Sequence, residues 1–384
     1  MRIIKIILLV IISVISSTLL LPGFSFIPNA LIYQQPGIDD YKIFYNRVVF
    51  AGDPKPWKIS KDYFTSPLSK EFDDINELYK TTAYLVVKDT SLLFEHYYDD
   101  SGEDVYSNSF SMAKSIVSLL IGIAIDEGKI ASIDERVGEY LPNYNDSFNK
   151  NLTIRNLLTM SAALDWEEGY KTLFSTTAQA YYGGELNKFI SKFKSISESG
   201  DKVKYQSGVT QILSMVLSKA TNENLSQYAS ERLWTPINAE KNALWSLDKK
   251  DGDEKAYCCF NSNARDFARL GQLVLNKGVW NNKRILSQQY IDEAVKPASY
   301  LKSQYDDSEN TVYGFQFWIY DYNGESIPFM RGLLGQYVFI LPKYNAVIVR
   351  LGHTHSNERD ENHFNKDIEI WIKEGIDIIE KGNR

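Results

Sequence analysis

The sequence predicts an α/β fold of the α+β kind, an antiparallel sheet flanked by helices and built from both ends of the chain, with a mainly helical lobe inserted between them. Three observations predict it. Residues 83–98 read as a β-hairpin, three short β-rich runs within 328–351 read as an antiparallel meander, and the long stretch between them reads as helices and loops. At 384 residues the chain is long enough for one large two-lobed domain or two ordinary ones.

The N-terminus carries Arg2 and Lys5 and then no charge from Ile6 to Ile38, with an apolar core from Ile6 to Leu21. Residues 1–30 are therefore read as a signal peptide or membrane anchor. The two basic residues hold the N-terminus in the cytoplasm, so the folded part is expected outside. It is anchored to the cytoplasmic membrane facing outward, or periplasmic or secreted if the segment is cleaved. No small-x-small cleavage site stands out, which favours the anchor. Residues 31–80, punctuated by Pro36, Pro54, Pro56 and Pro67, are expected to wrap the domain as an extension. The domain itself is assigned to 81–384, with an α/β lobe at 81–135 and 277–384 and a helical lobe at 136–276.

Ala83–Val87 and Leu92–Tyr98 form the hairpin around Lys88-Asp89-Thr90. Next, Ser111-Met112-Ala113-Lys114 places a hydroxyl and an amine one helical turn apart. The same spacing recurs at Ser147/Lys150, Ser191/Lys194, Ser199/Lys202, Ser246/Lys249 and Ser299/Lys302 in polar or turn-like surroundings, so spacing alone carries no chemistry. Context separates them. Only Ser111 opens a helix that is apolar nearly all round, from Ile116 to Ile125, with Gly128 as its stop. Burial there lowers a lysine pKa, and a helix N-terminus favours negative charge on oxygen. Ser111 is the candidate nucleophile and Lys114 its base.

Helical runs follow near Thr153–Met160, Val209–Ala220, Leu225–Arg232 and Ala264–Asn276. Tyr205-Gln206-Ser207-Gly208 stands just before the second, and the Tyr205 phenol is the candidate proton shuttle. The meander strands are Pro328–Gly332, Tyr337–Leu341 and Ala346–Leu351, and an amphipathic helix from about Phe364 to Ile379 closes the chain.

A net charge of −7 with interspersed Lys and Glu leaves no concentrated basic face, which argues against a nucleic-acid partner. Cys258 and Cys259 are adjacent and are expected to be free thiols, because neighbours do not readily reach disulfide geometry. His353 and His355 form the one conceivable ligand pair, but no third ligand has suitable spacing, so they are read as a polar turn and no metal is expected. The absence of Gly-x-Ser-x-Gly disfavours an α/β-hydrolase elbow.

With Ser109–Ser115, Ile123–Ile130, Thr153–Ser161, Tyr205–Gly208 and Asn263–Gly271 together, residues 80–355 resemble the serine β-lactamase and penicillin-binding-protein superfamily. The likeness is to its class C-like branch, with esterases and 6-aminohexanoate-dimer hydrolases. The resemblance implies a β-lactamase/transpeptidase-like fold and no cofactor. It also implies that Ser111 attacks a carbonyl, that Lys114 and Tyr205 share the proton transfers, and that water releases the acyl-enzyme. The family's Lys-Thr-Gly strand motif falls here at Leu333-Leu334-Gly335, which is the main departure. Gly335 permits close backbone approach, and the N–H of Gln336 with that of Ser111 is the expected oxyanion hole. Ser207 is placed on the acyl side of the substrate. Asn261 either lines the pocket or serves a turn or cap before Ala264. Arg265, Asp266 and Asp165-Trp166 are read as fold-supporting. Since neither leucine can bind a carboxylate, the expected substrate is a small-molecule ester or neutral amide, with a cell-wall fragment among the candidates. The alternatives are a β-lactamase or D-amino-acid peptidase, and a catalytically silent peptidoglycan-binding or sensor domain.

Overall fold

The computed structural model describes residues 26–66, 69–99, 101–170, 172 and 174–382. Residues 1–25, which carry most of the expected signal or anchor, lie outside the described residues. Among those described, no helix is long and apolar enough to cross a membrane.

Thirteen strands are described: β1 (Asn46–Val49), β2 (Lys58–Phe64), β3 (Thr81–Lys88), β4 (Ser91–Tyr97), β5 (Ser107–Asn108), β6 (Ala243–Ser246), β7 (Phe260–Ser262), β8 (Val279–Trp280), β9 (Lys283–Arg284), β10 (Trp318–Tyr322), β11 (Glu325–Gly332), β12 (Gln336–Leu341) and β13 (Ala346–Gly352). Seven of them form the main sheet in the order β10-β11-β12-β13-β3-β4-β2, antiparallel throughout except between β4 and β2. The two ends of the chain meet in its middle, where Val349 of β13 lies opposite Leu85 of β3. The hairpin turn is made by Asp89 and Thr90, both at positive φ (50° and 61°), as a tight two-residue connection requires.

β13 is buried along its whole length because both faces of the sheet are covered. One face receives the Ala264–Leu275 helix, where Gly271 allows the helix backbone to approach Val347 and Val338. The opposite face receives the Asp367–Lys381 helix, where Gly375 lies against Ile348. The Met112–Asp126 helix is buried from Met112 to Ala124, in keeping with its all-round apolar sequence. Gly128, at φ +69°, ends it.

The hairpin, the meander and the four helical runs occur where the sequence places them. Thr153 caps Ile154–Leu158 in a capping box with Asn156, and the second run spans Ser207–Thr221. Other features differ. The 31–80 extension is woven into the two larger of the three described sheets: β1 pairs with β6, and β2 pairs with β4. β6 and β7, which join β1 and β5 in a four-stranded sheet, fall in a segment read as helix and loop. They are four and three residues long, too short for a period of two to declare itself.

The expectation of free thiols is overturned. Cys258 and Cys259 are bonded to each other, with Cα atoms 3.8 Å apart, closer than the separation of about 4.4–6.8 Å usual for disulfides. The expectation assumed ordinary backbone. Instead Cys259 takes φ +68°, a left-handed turn that folds its side chain back toward its neighbour.

At Gly271 an added methyl would lie 2.7 Å from Val347 and 2.8 Å from Val338, both too stiff at χ1 to swing away. Overpacking of about 1–3 kcal/mol should outweigh the gain of about 1 kcal/mol that alanine brings to a helix. Gly271→Ala is therefore expected to lower the urea midpoint of unfolding.

Candidate active site

The turn before the Met112–Asp126 helix is fixed from three sides. The Phe110 N–H donates to Asn108 Oδ1 (2.9 Å), the Ser109 N–H donates to Phe260 O (2.9 Å), and the Phe260 N–H donates back to Ser109 Oγ (3.2 Å). Phe110 is held at φ +43°. The N–H groups of Met112, Ala113 and Lys114 donate to the carbonyls of Ser109, Phe110 and Ser111, and Ser111 stands at the helix N-cap without a side-chain capping bond. Its hydroxyl is thereby left to other partners.

One of these is Lys114, whose Nζ donates to Ser111 Oγ at 2.9 Å and to Tyr257 O at 2.9 Å. The amine is 1% exposed and lies 5.1 Å and 5.6 Å from the ring centres of Tyr205 and Tyr257. Burial lowers its pKa to about 8, against the opposing field of Glu168. The Tyr205 phenol is hydrogen-bonded to Ser111, and burial, with Glu168 beside it, raises its pKa. An amine that gives up its proton readily and a phenol that keeps its own flank one hydroxyl.

Glu168 was not legible as a site residue. Its carboxylate accepts from the Trp166 indole (2.7 Å), the Ser207 N–H (2.7 Å), the Ser207 hydroxyl (2.7 Å) and the Tyr170 phenol. In sequence it is one of two consecutive acids in a loop, and no spacing rule distinguishes it from a solvated pair. Ser207 borders the site as expected, though its hydroxyl is spent on Glu168. Asp165 and Trp166 are structural: Asp165 accepts from the Lys194 N–H, and the Trp166 carbonyl accepts from the Gln206 amide.

Two cavities meet at Ser111. The first, about 330 Å³, is walled by Phe110, Tyr181, Tyr182, Cys258 and Leu334. The second, about 460 Å³, is bordered by Tyr205, Trp318, Arg331, Arg359 and Asn365. Leu333 borders both. It is brought there by Gly332, where a Cβ would lie 2.2 Å from Ser109 O, so the end of β11 runs in contact with the Ser111 turn.

Three expected site residues lie elsewhere. Gln336 is fully buried in the β11–β12 ladder opposite Gly332, and its amide donates to Leu333 O (3.2 Å) and Gly352 O (2.6 Å). Gly335, at φ +82°, makes room for the Arg350 guanidinium. Neither borders a cavity at Ser111. Asn261 neither lines the pocket nor caps a helix. Its amide donates to Leu244 O, Ser246 Oγ and Cys259 O, and the cap of Ala264–Leu275 is Asn263. Arg265 and Asp266 support the fold, Arg265 against Glu95 (2.5 Å) and Asp266 under the N–H groups of Glu240 (2.7 Å) and Lys241 (2.9 Å). The expectation of an edge without positive charge does not hold. Leu333 and Leu334 are apolar, but Arg331 and Arg359 stand in the same cleft.

The sequence matches the family described as Beta-lactamase over residues 76–369. It is 24% identical over 287 residues to a 6-aminohexanoate-dimer hydrolase of Paenarthrobacter ureafaciens, covering 71% of this chain and 72% of that one. It is 22% identical over 319 residues to an N-acetylmuramyl-L-alanine amidase of Bacillus subtilis (strain 168), covering 68% and 69%. A solved Bacillus anthracis structure, assigned only provisionally as a 6-aminohexanoate-dimer hydrolase, superposes with a TM-score of 0.73 at 21% identity, covering 90% of this chain and 92% of that one.

Behind the β11 edge, Arg350 is fully buried and donates to the carbonyls of Leu334 (3.1 Å), Gly335 (2.8 Å), Thr354 (3.0 Å) and Tyr79 (2.6 Å). Arg350→Met would strand those acceptors, and a loss of roughly 3 kcal/mol in unfolding free energy is expected by urea denaturation.

Proposed function

The chain belongs to the beta-lactamase family of hydrolases, and from that premise we propose that it is a serine hydrolase that cleaves an amide or ester through an acyl-enzyme on Ser111. The observation that carries this reading is the 2.9 Å hydrogen bond from the buried Lys114 amine to the Ser111 hydroxyl, with the amine tuned to about 8. A base near the working pH is what general-base catalysis needs.

In this reading the free amine of Lys114 takes the Ser111 proton as Oγ attacks the substrate carbonyl. The N–H groups of Ser111 and Leu333 stabilise the oxyanion, Leu333 replacing Gln336 because Leu333, unlike Gln336, borders both cavities at Ser111. The proton passes by way of Tyr205 to the departing nitrogen or oxygen, the carbonyl bond to that atom breaks, and the acyl group stays on Oγ. Water then adds to the ester, the bond to Oγ breaks, and Ser111 regains its proton. One relative is named an amidase, which favours an amide. The apolar N-terminal run behind Arg2 and Lys5 supports an exported or anchored enzyme.

Ser111→Ala is expected to cost several orders of magnitude in hydrolysis of short-chain p-nitrophenyl esters, measured on purified, folded protein. Tyr205→Phe and Lys114→Ala should each slow acylation by about 10²-fold or more. Combined, they should fall far short of additive, because groups that act as a unit fail together. The pH profile has a definite sign. The competent form is the neutral amine, so kcat/KM should rise with pH and level off above about 8. A flat profile between pH 6 and 9 would remove Lys114 from the role of base.

A further inference from the structure

The cleft on the Tyr205 side of Ser111 holds two cations, Arg331 and Arg359, that no carboxylate among the described residues meets at ion-pair distance. Arg331 lies near the end of β11, its guanidinium 5.0 Å from the Trp318 ring and 5.7 Å from the Phe364 ring, with Nη2 donating to Asn365 Oδ1 at 2.5 Å. Arg359, on the exposed rim, donates from Nη1 to the same oxygen at 3.1 Å and to His363 O at 3.1 Å. Asn365 is 1% exposed and is oriented by its amide bonds to Ser356 O (2.6 Å) and His355 Nδ1 (2.9 Å).

Among the described residues neither arginine has an ion pair, whereas Arg47, Arg155 and Arg265 face Glu254, Asp134 and Glu95, and Arg350 is ringed by carbonyls. Asp367, whose charge acts on Arg359, has its oxygens engaged by the Ser356 N–H, the Trp371 indole and the Tyr337 phenol. Two guanidinium groups thus share one neutral acceptor and repel each other. A carboxylate arriving between them would relieve that repulsion and accept from both, in the forked geometry that arginine suits best.

The two sides of Ser111 tell which half of the substrate would carry it. Tyr205 borders the cationic cleft and not the apolar cavity. In the proposed reaction it delivers the proton to the leaving atom, so the leaving half occupies the cationic cleft. The acyl half takes the cavity of Phe110, Tyr181 and Tyr182.

We propose that Arg331 and Arg359 form a carboxylate subsite for the leaving half of the substrate, so that the favoured substrates are N-acyl amino acids with an apolar acyl chain. The choice of half rests on the serine hydrolase reading, while anion binding at the arginines does not.

The probes are N-hexanoyl-β-alanine and its carboxamide, which differ only in the terminal charge. On Ser111→Ala protein, calorimetric titration should show the carboxylate bound at least tenfold more tightly, with the preference lost in Ser111→Ala/Arg331→Gln and Ser111→Ala/Arg359→Gln. With Ser111 present, kcat/KM should favour the carboxylate by a similar factor, and each arginine variant should bring the ratio toward one. A merely structural arginine would lower both substrates equally and leave the ratio intact. Arg359→Gln, at the rim, carries the test if Arg331→Gln fails to fold. Equal binding and cleavage of the two compounds by a Ser111-dependent enzyme would overturn the subsite and leave the serine reading standing. Discrimination in binding, with hydrolysis surviving Ser111→Ala, would do the reverse.

Discussion

A lysine amine held without water is the constraint around which this site is arranged. Lys114 sits one turn into a helix whose neighbouring positions are buried, so almost no solvent reaches its side chain. An ammonium there costs several kcal/mol unless its donors are used. Two acceptors answer that demand, Ser111 Oγ and Tyr257 O, and two aromatic rings enclose the remainder. Burial then pulls the amine toward neutrality. The Phe110 turn and its bonds to Phe260 follow from the same demand, since they hold the serine hydroxyl where the amine needs a partner.

The other wall of the site is set by close backbone approach. Gly332 lets the end of β11 touch the carbonyl of Ser109, and Arg350 pins the 333–335 turn from behind through its carbonyls. Strand and helix turn are thereby locked edge to edge, with Leu333 at the seam. That seam divides the space around Ser111 into an apolar cavity and a cationic cleft, so a substrate threaded across it meets different chemistry on either side.

Much of this was legible in the sequence, because it depended on local pattern. The Ile116–Ile125 run announced a buried helix by being apolar nearly all round. The hairpin at 81–97 and the meander at 325–352 announced themselves by turn residues between β-rich runs. Ser111, Lys114 and Tyr205 came together as their context suggested. What was not legible depended on tertiary contact. β1 and β6 are four residues each and exist because they pair with one another across almost two hundred residues. Glu168, Arg331 and Arg359 look like ordinary surface charges until the fold sets Glu168 against Ser207 and the two arginines in the Ser111 cleft. The Gln336 expectation failed for a related reason. A motif aligned by its glycine placed the donor one residue past Gly335, but the strand edge that meets Ser111 begins three residues before it, at Gly332.

The leucines at 333 and 334 remove charge from the seam without removing it from the site. Arginine suits the displaced position. Its planar guanidinium lies against Trp318 and Phe364, contacts that stabilise a cation at modest desolvation cost, and its length carries charge from β11 into the cleft. The global balance works against this local one, since a chain of net charge −7 repels anions at long range. Field from the distant acids is screened within about 8 Å at physiological salt, whereas two guanidinium groups lining a cleft act at contact distance. The local pair therefore governs what the cleft accepts, and an arrangement that leaves two like charges on one asparagine oxygen is at its least stable when the cleft holds no anion.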